Sequence, residues 1–205
     1  MAGSFGIPEI VEYLTSMGLR LANVDEEQQI IELAFHGSQG QWRMIVGIQQ
    51  GGDVRKLLFV APHINALTAK KRLECLEALM AINYRITIGK FGLDLDDGEI
   101  RLEETVPIGE EGLSLAQFQF VFGALTQTVA IYHSLIPRIV YGHLSALEAL
   151  EACEREFMEE NESETQPGDL SFEPPPAGSE VAPELDATDV LAEISRILEE
   201  PKDQD

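Results

Sequence analysis

Residues 83–108, NYRITIGKFGLDLDDGEIRLEETVPI, are the stretch on which the fold turns. Tyr84, Ile86 and Ile88 alternate with Arg85, Thr87 and Gly89, and Ile100, Leu102, Val106 and Ile108 resume the alternation beyond LDLDDGE. A period of two is the mark of a half-buried strand. Between the two runs, Asp97 and Gly98 supply the conformations that a tight reversal needs. The stretch therefore predicts a β-hairpin from Tyr84 onward with an acidic turn. Two chemical readings of the same carboxylates fail on spacing. A calcium loop starting at Asp94 needs an oxygen ligand, a glycine and a glutamate at its fifth, sixth and twelfth positions, and the chain offers Gly98, Glu99 and Thr105. Asp94 with Glu103 makes a glycosidase-like pair only in the sense that any acidic hairpin does, so the acids are assigned to the turn and no catalytic residue is assigned.

On the N-terminal side, the period lengthens over residues 68–82. Leu73, Leu76, Leu79, Met80 and Ile82 share one side of a helix that Thr68 would cap. Lys70, Lys71 and Arg72 fall in its first turn, where the helix dipole mildly disfavours cations; they read as a solvated basic turn, with an acidic neighbour or partner as the alternative that could offset the cost. Before it, Leu57 to Ala61 predicts a strand buried on both faces and closed by Pro62. Ile31, Leu33 and Phe35, then Trp42, Met44, Val46 and Ile48, alternate around GSQG as a further hairpin. Ile7, Ile10, Val11 and Leu14, with Pro8 before and Gly18 after, mark an opening amphipathic helix.

On the C-terminal side, Ser114 and Gln117 form a capping box for a helix that carries Phe118, Val121, Phe122, Leu125 and Val129 on one face. Pro137 kinks or ends it, and residues 142–160 restart a helix that grows acidic. The sum is an α+β fold in the order helix, three-stranded meander, helix, β-hairpin, helix. Residues 161–187 are rich in Pro, Glu, Ser and Gly and read as a disordered linker. Beyond them, Val190, Leu191, Ile194, Ile197 and Leu198 lie on one stripe of a predicted helix at 188–200, which is too short to be stable alone and needs a surface to dock on.

Charge narrows the partners. The chain has 36 Asp and Glu against 14 Lys and Arg, a net charge of −22. Residues 1–150 hold 18 acids and 11 bases, and residues 151–205 hold 18 acids and 3 bases. A polyanion is repelled by phosphate backbones and anionic headgroups, so neither nucleic acid nor a membrane surface is expected as a partner. No membrane insertion is expected either, because the most apolar run, TVAIYHSLIPRIVYG, is interrupted by His133, Pro137 and Arg138. The first ten residues have no signal-peptide pattern, which makes the cytoplasm the expected compartment. Cys75 and Cys153 form no CxxC, His36, His63, His133 and His143 are scattered, and no serine sits in a GxSxG elbow. No cofactor and no metal are expected.

Residues 83–108, the LSLAQFQFVFGAL segment downstream, and the helix that follows the LLFVAP strand together resemble the YbjN family over about residues 7–142. The resemblance implies a small α+β domain with a fold like that of type III secretion chaperones, a homodimer that binds protein or peptide segments and has no known reaction. It covers the expected domain, residues 1–145. An acidic helical extension at 146–160, the linker and the terminal helix lie beyond it. The expected function is that of a non-enzymatic, chaperone-like module holding a client segment on its sheet or groove. The alternative is an adaptor or regulator that works through Val190, Leu191, Ile194, Ile197 and Leu198.

Overall fold

The computed structural model describes residues 5–37, 40–52 and 54–164. The stripe from Val190 to Leu198 and the linker from residue 165 onward lie outside the described residues. In chain order the elements are α1 (Ile7–Ser16), β1 (Asn23–Asp25), β2 (Ile30–Gly37), β3 (Gly40–Gly51), β4 (Val54–Ala66), α2 (Arg72–Arg85), β5 (Lys90–Leu93), β6 (Glu99–Ile108), α3 (Leu115–Tyr132), α4 (Leu135–Val140) and α5 (Ala146–Glu164). The strands form one antiparallel sheet in the order β1-β2-β3-β4-β6-β5. The class is α+β, with β1 as a strand the sequence pattern did not reveal.

One face of the sheet is buried. Leu33, Phe35, Trp42, Met44, Val46, Leu57, Phe59, Ile100 and Leu102 point into the core from alternate positions. The capping box opens α3 as expected: Ser114 Oγ accepts from the Gln117 backbone N at 3.3 Å, and Gln117 Oε1 accepts from the Ser114 backbone N at 2.9 Å. From that start Phe118 and Phe122 reach the sheet, with Phe118 5.4 Å from the Phe59 ring and Phe122 6.3 Å from the Phe35 ring. Helix α3 ends at Tyr132, ahead of Pro137, which falls in the first turn of α4, where its missing N–H costs little. Residues 115–140 are apolar enough in composition to span a membrane, but Phe118, Phe122, Leu125, Val129 and Ile139 are buried in the body.

Four local readings change. First, the hairpin begins later than Tyr84. Helix α2 runs through Arg85, the Ile86 N–H still donates to the Ile82 carbonyl, and Tyr84 is exposed. Five alternating residues do not outweigh a helix already propagating through them. The chain leaves it at Ile86 and turns at Gly89, whose φ is +78°. The hairpin proper is β5 with β6. Second, Thr68 does not cap α2. Its Oγ1 accepts from Lys70 N, and the helix starts after Lys71, which sits in the left-handed region at φ 52°. Third, α2 buries Cys75, Ala78, Leu79 and Ile82 and leaves Leu73 and Met80 in solvent, because the small residues allow the closer approach. Fourth, β4 continues past Pro62 to Ala66 through an irregularity between Ala61 and Asn65 in its pairing with β6. Only one of its faces is buried; Leu58 and Val60 are half-covered on the other.

Helix α5 begins with a second capping box, Ser145 with Glu148, and puts Ala149, Leu150, Ala152 and Cys153 into the body. The segment expected as an extension thus shares the core, and its helix runs to Glu164.

Candidate binding edge

An open sheet has two edges, and each outward N–H and C=O on them needs a partner or water. At the β5 edge the side chain of Asn83 stands in for a strand. Its Oδ1 accepts from Phe91 N at 2.8 Å and its Nδ2 donates to Phe91 O at 3.0 Å. At the other edge β1 covers only part of β2, pairing Asn23 with Glu32 and Asp25 with Ile30. The last bond there runs from Ala22 N to Glu32 O at 2.8 Å.

Past Glu32 no strand among the described residues pairs with this edge. Gln29 O accepts from Ile48 N on the β3 side, so residues 29, 31, 33 and 35 direct their backbone groups to β3 and residues 32, 34 and 36 direct theirs outward. The outward groups of Ala34 and His36 have no backbone partner among the described residues. Residues 19–22 run beside this edge and leave a hollow of about 300 Å³ lined by Leu19, Leu21, Leu33 and Phe35, together with Arg20 and His36. A second hollow, of about 320 Å³, shares Ala34, Phe35 and His36 and adds Gln41, Arg43, Pro62 and His63. Phe35 lies stacked on Trp42, ring centroids 4.1 Å apart and 11° from parallel, which gives both hollows a stiff aromatic neighbour. Trp42 is therefore a packing residue. The arrangement offers two backbone donors and two acceptors at strand spacing, with apolar room beside them for alternate side chains.

The residues that carry chemistry elsewhere are engaged structurally. Asp94 Oδ1 accepts from Asp96 N, and Asp97 Oδ1 accepts from Glu99 N, each at 2.8 Å, while Glu103 pairs with Arg101 at 2.9 Å. His63 stands 3.4 Å from a Glu99 oxygen. Burial pushes the Cys75 and Cys153 thiols up from their ordinary value, away from the reactive thiolate. Burial, reinforced by its hydrogen bond to Glu154, also raises Tyr132. Among the described residues, no group of three His, Cys, Asp or Glu side chains is placed to hold a metal. The open half of β2 was not found from the sequence. The available signal was Leu19 and Leu21 alternating across Arg20, a strand-like run that stops short of pairing.

No curated protein matches the chain. Among solved structures it is similar to "YbjN, a putative transcription regulator from E. coli", at 17% identity and a TM-score of 0.44, over 74% of this chain and 94% of that one. The model of the YbjN family, described as "Putative bacterial sensory transduction regulator", matches residues 8–134. That span is more than half of the sequence, and the protein belongs to the YbjN family.

Proposed function

We propose that the protein is a non-enzymatic regulatory module that takes up an extended segment of a partner protein along the open half of β2. The observation that carries this reading is the pair of outward backbone positions, Ala34 and His36, beside the hollow of Leu19, Leu21, Leu33 and Phe35. The family's description as a regulator of sensory transduction supports a protein partner over a substrate. A chaperone-like role and a homodimer belong to the same reading. The outward face of the sheet carries Ile45, Leu58 and Val60, half-covered and outside the core cluster, where a second copy would pack.

Ala34→Pro tests it. The N–H it removes points away from β3, so the sheet keeps its ladder while the edge loses a donor. Peptides selected on the wild-type protein from a random library should show alternating apolar residues and bind Ala34→Pro at least about tenfold more weakly, as loss of a strand-addition bond and register implies. Equal binding by a variant with an unchanged melting curve would remove the proposal. The adaptor reading rests on the apolar stripe at 188–200. It requires the partner to be lost with Leu191→Ser, Ile194→Ser and Leu198→Ser together, and kept by Ala34→Pro.

A further inference from the structure

Helix α2 has two faces. Cys75, Ala78, Leu79 and Ile82 are in the core, and on the opposite side Leu73, Met80 and Tyr84 are 67%, 65% and 92% exposed. Positions 73, 80 and 84 fall on one line along a helix, so these three side chains form an apolar stripe with half-buried Leu76 on one margin and exposed Glu77 on the other. At the N-terminal end of the stripe stand Lys70, Lys71 and Arg72. They contact the Tyr141 ring, the Leu144 carbonyl and the Leu67 carbonyl respectively, and none makes an ion pair with a described residue. Glu74 in the first turn and Glu148 near Lys71 meet part of this charge, and three cations at the positive end of a helix dipole leave room for further acid.

The chain supplies matching chemistry. Residues 165–205 hold 11 acids and 2 bases, and within them Val190, Leu191, Ile194, Ile197 and Leu198 keep helical spacing and are followed directly by Glu199 and Glu200. Geometry supplies the route. Lys71 touches Leu144 just before α5, and Arg85 touches Glu154 in its middle, so α5 runs parallel to α2. From Glu154 it continues to Glu164, about 15 Å beyond the end of α2 at 1.5 Å per residue. Were the intervening residues 165–187 a flexible chain, they would span roughly 25–30 Å, enough to turn back. At 14 residues α2 is about 21 Å long, and a helix at 188–200 would be about 20 Å.

We propose that residues 188–200 dock as a helix on the Leu73–Met80–Tyr84 stripe of α2 in the same chain. They run antiparallel to α2, so that Glu199 and Glu200 meet Lys70, Lys71 and Arg72. The contact sits on a different surface from the β2 edge and does not depend on the function proposed for that edge. Docked this way, the terminal helix is withheld from any separate protein until something displaces it.

The test places photoreactive p-benzoylphenylalanine at position 80 of the full-length chain, where the exposed Met80 tolerates replacement. On irradiation, the expected product is a crosslink within one chain to residues 188–200, in a yield independent of protein concentration. The yield should fall severalfold in a chain that also carries Leu191→Ser, Ile194→Ser and Leu198→Ser, and in one that carries Glu199→Lys and Glu200→Lys. Crosslinked dimers joined through α2 would show that a second copy covers the stripe and would overturn the proposal. So would the absence of any crosslink to residues 188–200, or a yield unchanged by the tail substitutions.

Discussion

Arg85 Nη1 and Tyr132 Oη both donate to the same oxygen, Oε1 of Glu154, at 2.7 and 2.8 Å. One carboxylate on α5 therefore ties the ends of α2 and α3 together. The Arg85 pair is half in solvent and contributes little by itself, but Tyr132 is buried and has this carboxylate as its acceptor. Glu154→Ala should cost about 1–2 kcal/mol in urea unfolding, and Glu154→Gln, which keeps an acceptor for Tyr132, clearly less. Equal costs for the two would mean that the ion pair, not the tyrosine, dominates.

The two capping boxes should respond differently to acid. Hydrogen bonds from the Ser145 hydroxyl and backbone hold the Glu148 carboxyl below its ordinary value of 4.5. The folded-state value is the lower one, so its contribution is present above pH 4.5 and is lost as the pH falls through that lower value. Ser145→Ala should therefore destabilise the protein more at pH 7 than in acid, where only the loss of the bond from the Glu148 backbone N to Ser145 Oγ remains. In the other box the arm is neutral Gln117, and Ser114→Ala should cost about 1 kcal/mol at both pH values. Denaturant unfolding at pH 7 and at acid pH compares them.

Gly98 and its acidic neighbours separate backbone need from side-chain charge. Its φ is +81°, and a Cβ there would stand 2.6 Å from the Leu67 carbonyl oxygen. Gly98→Ala should cost more than about 2 kcal/mol. Asp94→Asn, Asp96→Asn and Glu103→Gln together should leave peptide binding unchanged and move stability by about 0.5 kcal/mol each at most, because an amide oxygen can replace the Asp94 acceptor.

The outward sheet face makes a fourth expectation. Ile45→Glu, opposite Val60 on the neighbouring strand, should convert a dimer into a monomer in light scattering without altering the circular dichroism spectrum. A wild-type protein that is already monomeric would remove the dimer from the proposed function.

Strong periodicity was legible where one element dominates its neighbourhood. Ser114 and Gln117 with Phe118, Phe122 and Val129 specified α3 by local chemistry alone, and the alternation of Ile31, Leu33 and Phe35 against Trp42, Met44 and Val46 specified the first hairpin. The misread places are those that tertiary contact decides. Leu73 and Met80 looked like core until the smaller Cys75 and Ala78 took that face, and Tyr84 to Ile88 looked like strand because helix propagation leaves no mark on a five-residue window. Pro62 looked like a strand end because a bulge that accommodates proline has no signature of its own. The candidate edge was illegible for a related reason: an unpaired N–H is a property of the whole sheet, not of the residue that carries it.

Strand β4 has β3 on one side and β6 on the other, and the two pairings are unequal in the path the chain must travel. Its turn to β3 closes over a few residues, whereas Arg55 meets Ile108 only after α2 and β5 have been looped out between them. Closing that loop costs chain entropy before any strand contact repays it. The meander β2-β3-β4 is thus the natural early structure and the β4-β6 seam the rate-limiting closure. Substitutions at Leu57 or Phe59, which serve both sides, would slow refolding, while those at Val106 or Ile108 would chiefly speed unfolding.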